Sequence, residues 1–279
     1  MEQLDDYVGL LLALPHIEPI TVLSLFFLTL ARILPIAVFI PFLGPKVVPP
    51  TIKMMFSIAF TAIFLPQNLF LVKQNIPFDG TFIGLLLKEL GIGFILSVMA
   101  SVPFLVATSA GNLIDFQRGA SSLQVQEPTT QTESSPIGNL LYFVLLALFF
   151  TVGGPFIFFN ALADSYTFYP VDQWVPSLFF AGQSPFWQKV IALFGSVMVL
   201  SIQLALPALI ALLLCDIFLG IANRMAPQVQ IVFLGMPLKS WAGIALLTVG
   251  WTLIVHVMET YSTDWMRTLH QLLIQSPHI

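Results

Sequence analysis

The sequence predicts an all-α, polytopic membrane protein with about six hydrophobic, partly broken helical segments, and three observations carry that prediction. Only 9% of the 279 residues are charged against 57% hydrophobic, with a mean hydropathy of +0.93, whereas a soluble domain carries about 25% charged residues. The charges are segregated, leaving uncharged runs at 54–72, 90–114, 134–163, 190–215 and 240–258. Each run is long enough to cross about 30 Å of hydrocarbon as a helix. A further apolar stretch, 20–43, is interrupted only by Arg32. The whole chain, 1–279, reads as one membrane-embedded domain with a polar loop at 117–135 and an amphipathic tail at 260–279.

The start, Met1-Glu2-Gln3-Leu4-Asp5-Asp6, is acidic and lacks the basic region and small-residue cleavage site of a secretory signal peptide, so the N-terminus is expected to be retained. The first segment should stop where Pro41, Pro45, Pro49 and Pro50 crowd together, because proline lacks a backbone donor and pushes its predecessor out of the α region. The second is expected from about Thr51 to Pro66. Residues 75–80 then turn into a third, opened by Thr81 and carrying Lys88 and Glu89 in its early turns. Gly84, Gly91 and Gly93 should let a neighbouring helix approach closely. Pro136 starts the fourth segment, with a kink expected near Gly153-Gly154-Pro155 before Asn160 and Asp164.

Residues 165–185 read as an interfacial connector, in which Tyr166, Tyr169 and Trp174, with Trp187 just beyond, present apolar bodies and polar tips. The fifth segment, about 185–223, is too long for one straight crossing, and Pro207 and Gly220 are its expected break points. The sixth runs from Pro237 to Glu259. In the tail beyond it, Trp265, Leu269, Leu272 and Leu273 share one helical face suited to the membrane surface or a partner helix.

Composition also excludes. The net charge of −4 has no basic cluster behind it, which argues against nucleic acid as a partner. Alternate sides of six spans collect Lys73, Lys88, Lys189 and Arg267 against Lys46, Lys53, Arg118, Arg224 and Lys239, so the positive-inside rule gives no orientation. The single cysteine, Cys215, permits no intramolecular disulfide or cysteine metal cluster and reads as a small buried apolar residue. No phosphate loop, zinc helix or other catalytic motif is present, and no cofactor is implied. Ala107-Thr108-Ser109-Ala110-Gly111 lacks the first glycine of a nucleophile elbow. His256 and Glu259 lie three apart on a helix, but without a third ligand a helix-end hydrogen bond is the better reading. The chain is not expected to be an enzyme.

What remains are intramembrane charges and the polar loop. An arginine at the bilayer centre costs about 2.5–3.5 kcal/mol on insertion scales unless paired or wetted. Arg32 is therefore expected in a structural ion pair, with Asp115 or Asp216 as partner, or else lining a conduit. Asp115 and Arg118 can pair locally across one helical turn. The longest polar segment begins at Gln117 and continues through Arg118, Gly119, Ala120, Ser121 and Ser122 to Ser134, Ser135 and Pro136. Its small, uncharged, hydrogen-bonding residues give a backbone that repacks easily, tolerated at membrane depth only inside protein or a water-filled cavity.

Three stretches together carry a resemblance. Asp115-Phe116-Gln117-Arg118-Gly119-Ala120-Ser121, Glu133-Ser134-Ser135-Pro136-Ile137-Gly138-Asn139-Leu140-Leu141 and Val232-Phe233-Leu234-Gly235-Met236-Pro237-Leu238-Lys239-Ser240 resemble, in order and spacing, the SctT family. These are inner-membrane export-apparatus components of type III secretion injectisomes, also called YscT, SpaR or HrcT and related to flagellar FliR. The likeness runs from about residue 20 to 260. Flagellar relatives are less similar at Gln117 to Ser121, which favours the virulence-type machine.

The resemblance implies an all-helical subunit of the bacterial inner membrane that assembles with SctR-like and SctS-like subunits, and beside SctU-like and SctV-like ones. The resulting funnel projects towards the periplasm and passes unfolded secreted proteins. It also implies that the loop plugs the resting pore, with Asp115 as anchor and Gln117 to Ser121 as base. Phe233, Gly235, Met236, Pro237, Leu238, Lys239 and Ser240 would form a turn before the last helix, facing the channel entrance and neighbouring subunits, although a simple helix-capping turn has the same residues. A secondary transporter or channel for a small solute would also show broken spans and buried charges, and a structural scaffold would share the contacts. Both leave the three stretches unexplained.

Overall fold

The computed structural model describes residues 18–43, 48–119, 135–174, 185–225 and 231–275, and among them every regular element is an α-helix. The helices are α1 (Pro19–Phe39), α2 (Pro50–Leu71), α3 (Gly80–Gln117), α4 (Pro136–Thr151), α5 (Gly154–Phe168), α6 (Pro185–Met225), α7 (Ile231–Val249) and α8 (Trp251–Gln275). Among the described residues, four helices are long and apolar enough to cross a membrane, and up to six spans result if two bent pairs, α4 with α5 and α7 with α8, each count as one. The expected all-α, polytopic architecture is thus observed.

Local chemistry explains four of the eight described helix starts. Pro19, Pro50 and Pro136 occupy first-turn positions, where a missing N–H leaves nothing unpaired. Ser135 caps α4 by accepting from the Gly138 amide. Before α3, Asp79 accepts from both the amide and the hydroxyl of Thr81, and that hydroxyl holds the Asp79 carboxyl below its ordinary pKa.

Helix ends depart from expectation in an instructive way. α1 stops at Phe39, ahead of the proline cluster, as expected. α2, however, runs through Pro66 to Leu71; α6 is one helix of 41 residues through Pro207 and Gly220; and α7 begins at Ile231, so Pro237 lies inside it. Ending a helix strands four donors or four acceptors, while an internal proline removes one bond. In apolar surroundings the single loss is the smaller cost. The real breaks fall at glycines: Gly153, with φ of +77°, separates α4 from α5 at a 71° bend, and Gly250 separates α7 from α8 at 63°. The expected sixth segment is therefore two helices.

The described chain forms two compact units. The first contains α1, α2, the first half of α3 and the end of α5; the second contains the rest of α3, the α4 and start of α5, α6, α7 and most of α8. In the first unit α1 and α2 are antiparallel, joined by Asn68 Nδ2 donating to Thr29 Oγ1 at 2.8 Å. α3 lies so close to α1 that a Cβ on Gly93 would strike the Arg32 carbonyl. Gly84 faces the Trp174 ring, and Gly91 meets nothing within 4 Å. The expected glycine stripe therefore reduces to Gly93 as the site of helix-to-helix approach.

In the second unit α3 and α4 cross at Gly111 and Gly138, where either added Cβ would strike its surroundings, and Phe104 packs edge-on against Phe149. Gly111, expected to be no nucleophile elbow, is thus a packing glycine within a helix. α6 and α7 form an antiparallel hairpin, with Gly235 against Leu219. Met258, Ser262, Trp265 and Met266, on one face of α8, are buried within the chain. The side chains of Trp187, Leu269, Leu272 and Leu273 lie outside the described ones. Cys215 is half-buried rather than buried.

Candidate functional site at the stem of the polar loop

α3 ends where the polar loop starts. Gly119 adopts φ of +83° and its amide bonds back to the Phe116 carbonyl, a helix stop that an L side chain resists. One turn earlier, Asp115, only 5% exposed, projects from α3. Its Oδ1 takes the Arg118 guanidinium through Nε at 2.7 Å and Nη2 at 2.6 Å. Its Oδ2 accepts from the Ser135 hydroxyl at 2.5 Å and from the Ile137 amide at 2.9 Å. A single carboxylate therefore grips the departing and the returning strand of the loop. The Asp115–Arg118 pair was legible from spacing; the reach to Ser135 and Ile137 was not.

The third sequence stretch comes to the same stem. Gln117 donates its side-chain amide to Asp216 Oδ2 at 3.0 Å, and Lys239 pairs with Asp216 Oδ1. Residues 235–240 are helical, which corrects the expected turn. Gly235 is buried, Pro237 and Leu238 are exposed, and Lys239 and Ser240 are half-buried; Phe233 and Met236 lie on the same helix. Ala120, Ser121, Ser122 and Ser134, with the Gln- and Thr-rich part of the loop, fall outside the described residues.

Arg32 is not part of this stem. Its expected partners, Asp115 and Asp216, belong to the second unit, whereas Arg32 sits in the first and is fully buried. Glu89 is its partner, held by Nε to Oε2 at 2.5 Å and by Nη2 to Oε1 at 2.9 Å. Nη1 donates to Ser165 Oγ at 3.0 Å and Nη2 to the Tyr169 carbonyl at 2.8 Å, while the Tyr166 ring stacks 4.1 Å from the guanidinium carbon. Tyr166 and Tyr169 are thus buried, not interfacial; Trp174 is 61% exposed. Lys88 also reaches Glu89 Oε1 at 2.7 Å and donates to the carbonyls of Pro170, Val171 and Gln173. The cluster fastens the segment after α5 to α3 and α1, with Glu89 serving both cations and backbone carbonyls taking the remaining Lys88 donors. The available signal was Lys88-Glu89 itself, a charged pair in the early turns of an apolar helix.

Fold and stem together define a class: a polytopic helical membrane protein in which one buried carboxylate joins the helix end before a polar segment to the helix start after it. The chain belongs to the family of bacterial export proteins, family 1, whose model matches residues 23–264. It is 32% identical over 201 residues to the secretion system apparatus protein SsaT of Salmonella typhimurium, covering 70% of this chain and 76% of that one. It is 28% identical over 253 residues to the flagellar biosynthetic protein FliR of Bacillus subtilis, covering 89% and 94%. With the surface presentation of antigens protein SpaR of Salmonella typhimurium it shares 29% over 219 residues, 78% of each chain. The SctT-like, FliR-related resemblance of the three stretches is therefore confirmed at the level of the family, whose members are components of secretion or flagellar export apparatus.

Proposed function

We propose that this chain is a core subunit of a type III export gate in the bacterial inner membrane. It assembles with SctR-like and SctS-like subunits, beside SctU-like and SctV-like ones, into a portal for unfolded secreted proteins that projects towards the periplasm. The residues of 117–135 act as a plug that closes the resting pore. The observation that carries this reading is the Asp115 carboxylate, which holds both ends of the loop at once. A loop without a core of its own is displaced at low cost, while a buried, charge-assisted stem keeps its return path fixed. The virulence-type machine is favoured over the flagellum by the Gln117 to Ser121 stretch. The energy for export comes from other parts of the machine, and the residues named here position and close the pore without doing chemistry. Deleting 119–132 should raise small-molecule leak through the assembled complex; leak equal to that of the intact chain would remove the plug.

A further inference from the structure

The stem does not end at Asp115. Asp216 divides its two oxygens between neighbours on different helices, Oδ2 accepting from Gln117 of α3 and Oδ1 pairing with Lys239 of α7. One helical turn beyond Lys239, Gly243 leaves α7 bare where the Arg118 side chain lies: a Cβ there would sit 3.6 Å from Arg118 Cδ and 3.8 Å from Leu212 Cδ2. Gln117 and Arg118 are thus both seated on the α6–α7 hairpin, Gln117 on Asp216 of α6 and Arg118 beside Gly243 of α7. The exposure of this seat differs from that of the Arg32–Glu89 pair. The side chains of Asp216 and Lys239 are 36% and 21% exposed, against 0% for Arg32 and Glu89. A pair of that kind opens onto the surface of the chain, so it can be broken without leaving a charge sealed inside the chain's own core.

We propose that Asp216 is a positioning residue which, with Lys239, latches the end of α3 to the α6–α7 hairpin and releases it when the loop is displaced. Lys239 then acts through an internal partner and not by touching a passing chain or a neighbouring subunit. The inference deepens the plug reading and rests on it only for the consequence at the pore. Because one carboxylate serves both contacts, losing Lys239 also frees the Asp216 side chain to turn away from Gln117.

Hydrogen exchange of the backbone amides of 114–119, in the purified assembly containing the full chain, reads the latch directly. Asp216→Asn and Lys239→Gln should each speed that exchange by about three- to tenfold, the range for a partly exposed charged pair with one further hydrogen bond. Asp216→Lys alone should do the same, and Asp216→Lys with Lys239→Asp should slow it again, since Gln117 can turn its carbonyl towards the new ammonium. Gln117→Leu removes only the amide contact and keeps the test open if a charge variant fails to assemble. Unchanged exchange in the single variants, or a double variant as fast as the singles, would overturn the latch. The two readings fail separately: unchanged leak after deletion of 119–132 removes the plug, and unchanged exchange at 114–119 removes the latch.

Discussion

Arg32 is matched by Glu89, 57 residues away in the sequence, and that pairing shows where reading by spacing stops. Composition and the uncharged runs were enough to say that Arg32 must be paired or line a wetted conduit, because the alternative is an unmatched charge in hydrocarbon. They could not name the partner, because depth in parallel helices is set by packing and not by separation along the chain. Asp115 and Arg118 were legible because one helical turn joins them; Asp115 and Ser135 were not, because the intervening loop carries no register. The physical asymmetry of the two sites gives a prediction. Glu89→Ala strands a fully buried guanidinium and should destabilise the chain by about 3–5 kcal/mol, measured as loss of folded protein in detergent on heating. Lys239→Gln, at a half-exposed pair, should cost about 1 kcal/mol or less. Equal losses in the two variants would show that burial does not govern these charges.

At the scale of helices, the existence of the spans was readable and their ends were not. Pro66, Pro207 and Pro237 were expected to mark boundaries or breaks, yet all three lie inside helices, as do Pro35 and Pro103. Water normally receives the groups that a helix end exposes; where there is none, continuing through a proline is the less costly course. Glycine with a left-handed backbone is a stronger stop, because the backbone itself turns away. Gly153 has φ of +77° and nothing within 4 Å of a built Cβ, so its role is conformational alone. Gly153→Ala should lower stability by about 1–2 kcal/mol and Gly153→Asn by less, because asparagine tolerates the left-handed region. Thermal unfolding of the two variants checks the order; the reverse order would place the effect in packing.

At the scale of the molecule, the exposed surface argues for partners. α6 has 41 residues, about 61 Å at helical rise, which exceeds the roughly 30 Å of hydrocarbon in a bilayer. Its exposed apolar side chains nonetheless run from Ile191 and Met198 through Leu214 and Phe218 to Met225. Lipid cannot cover the whole of that length, so protein must cover part of it. Family membership gives the kind of machine in which such cover is found, and the three sequence stretches point to the same family. The central claim is that this chain completes a multi-subunit portal. Its most direct test is co-expression with the neighbouring SctR-like and SctS-like proteins, purification through a tag on this chain in mild detergent, and the mass of the intact particle. The account predicts one large assembly in which this chain is a minor component. Recovery of this chain alone, as a small and stable particle, would contradict it.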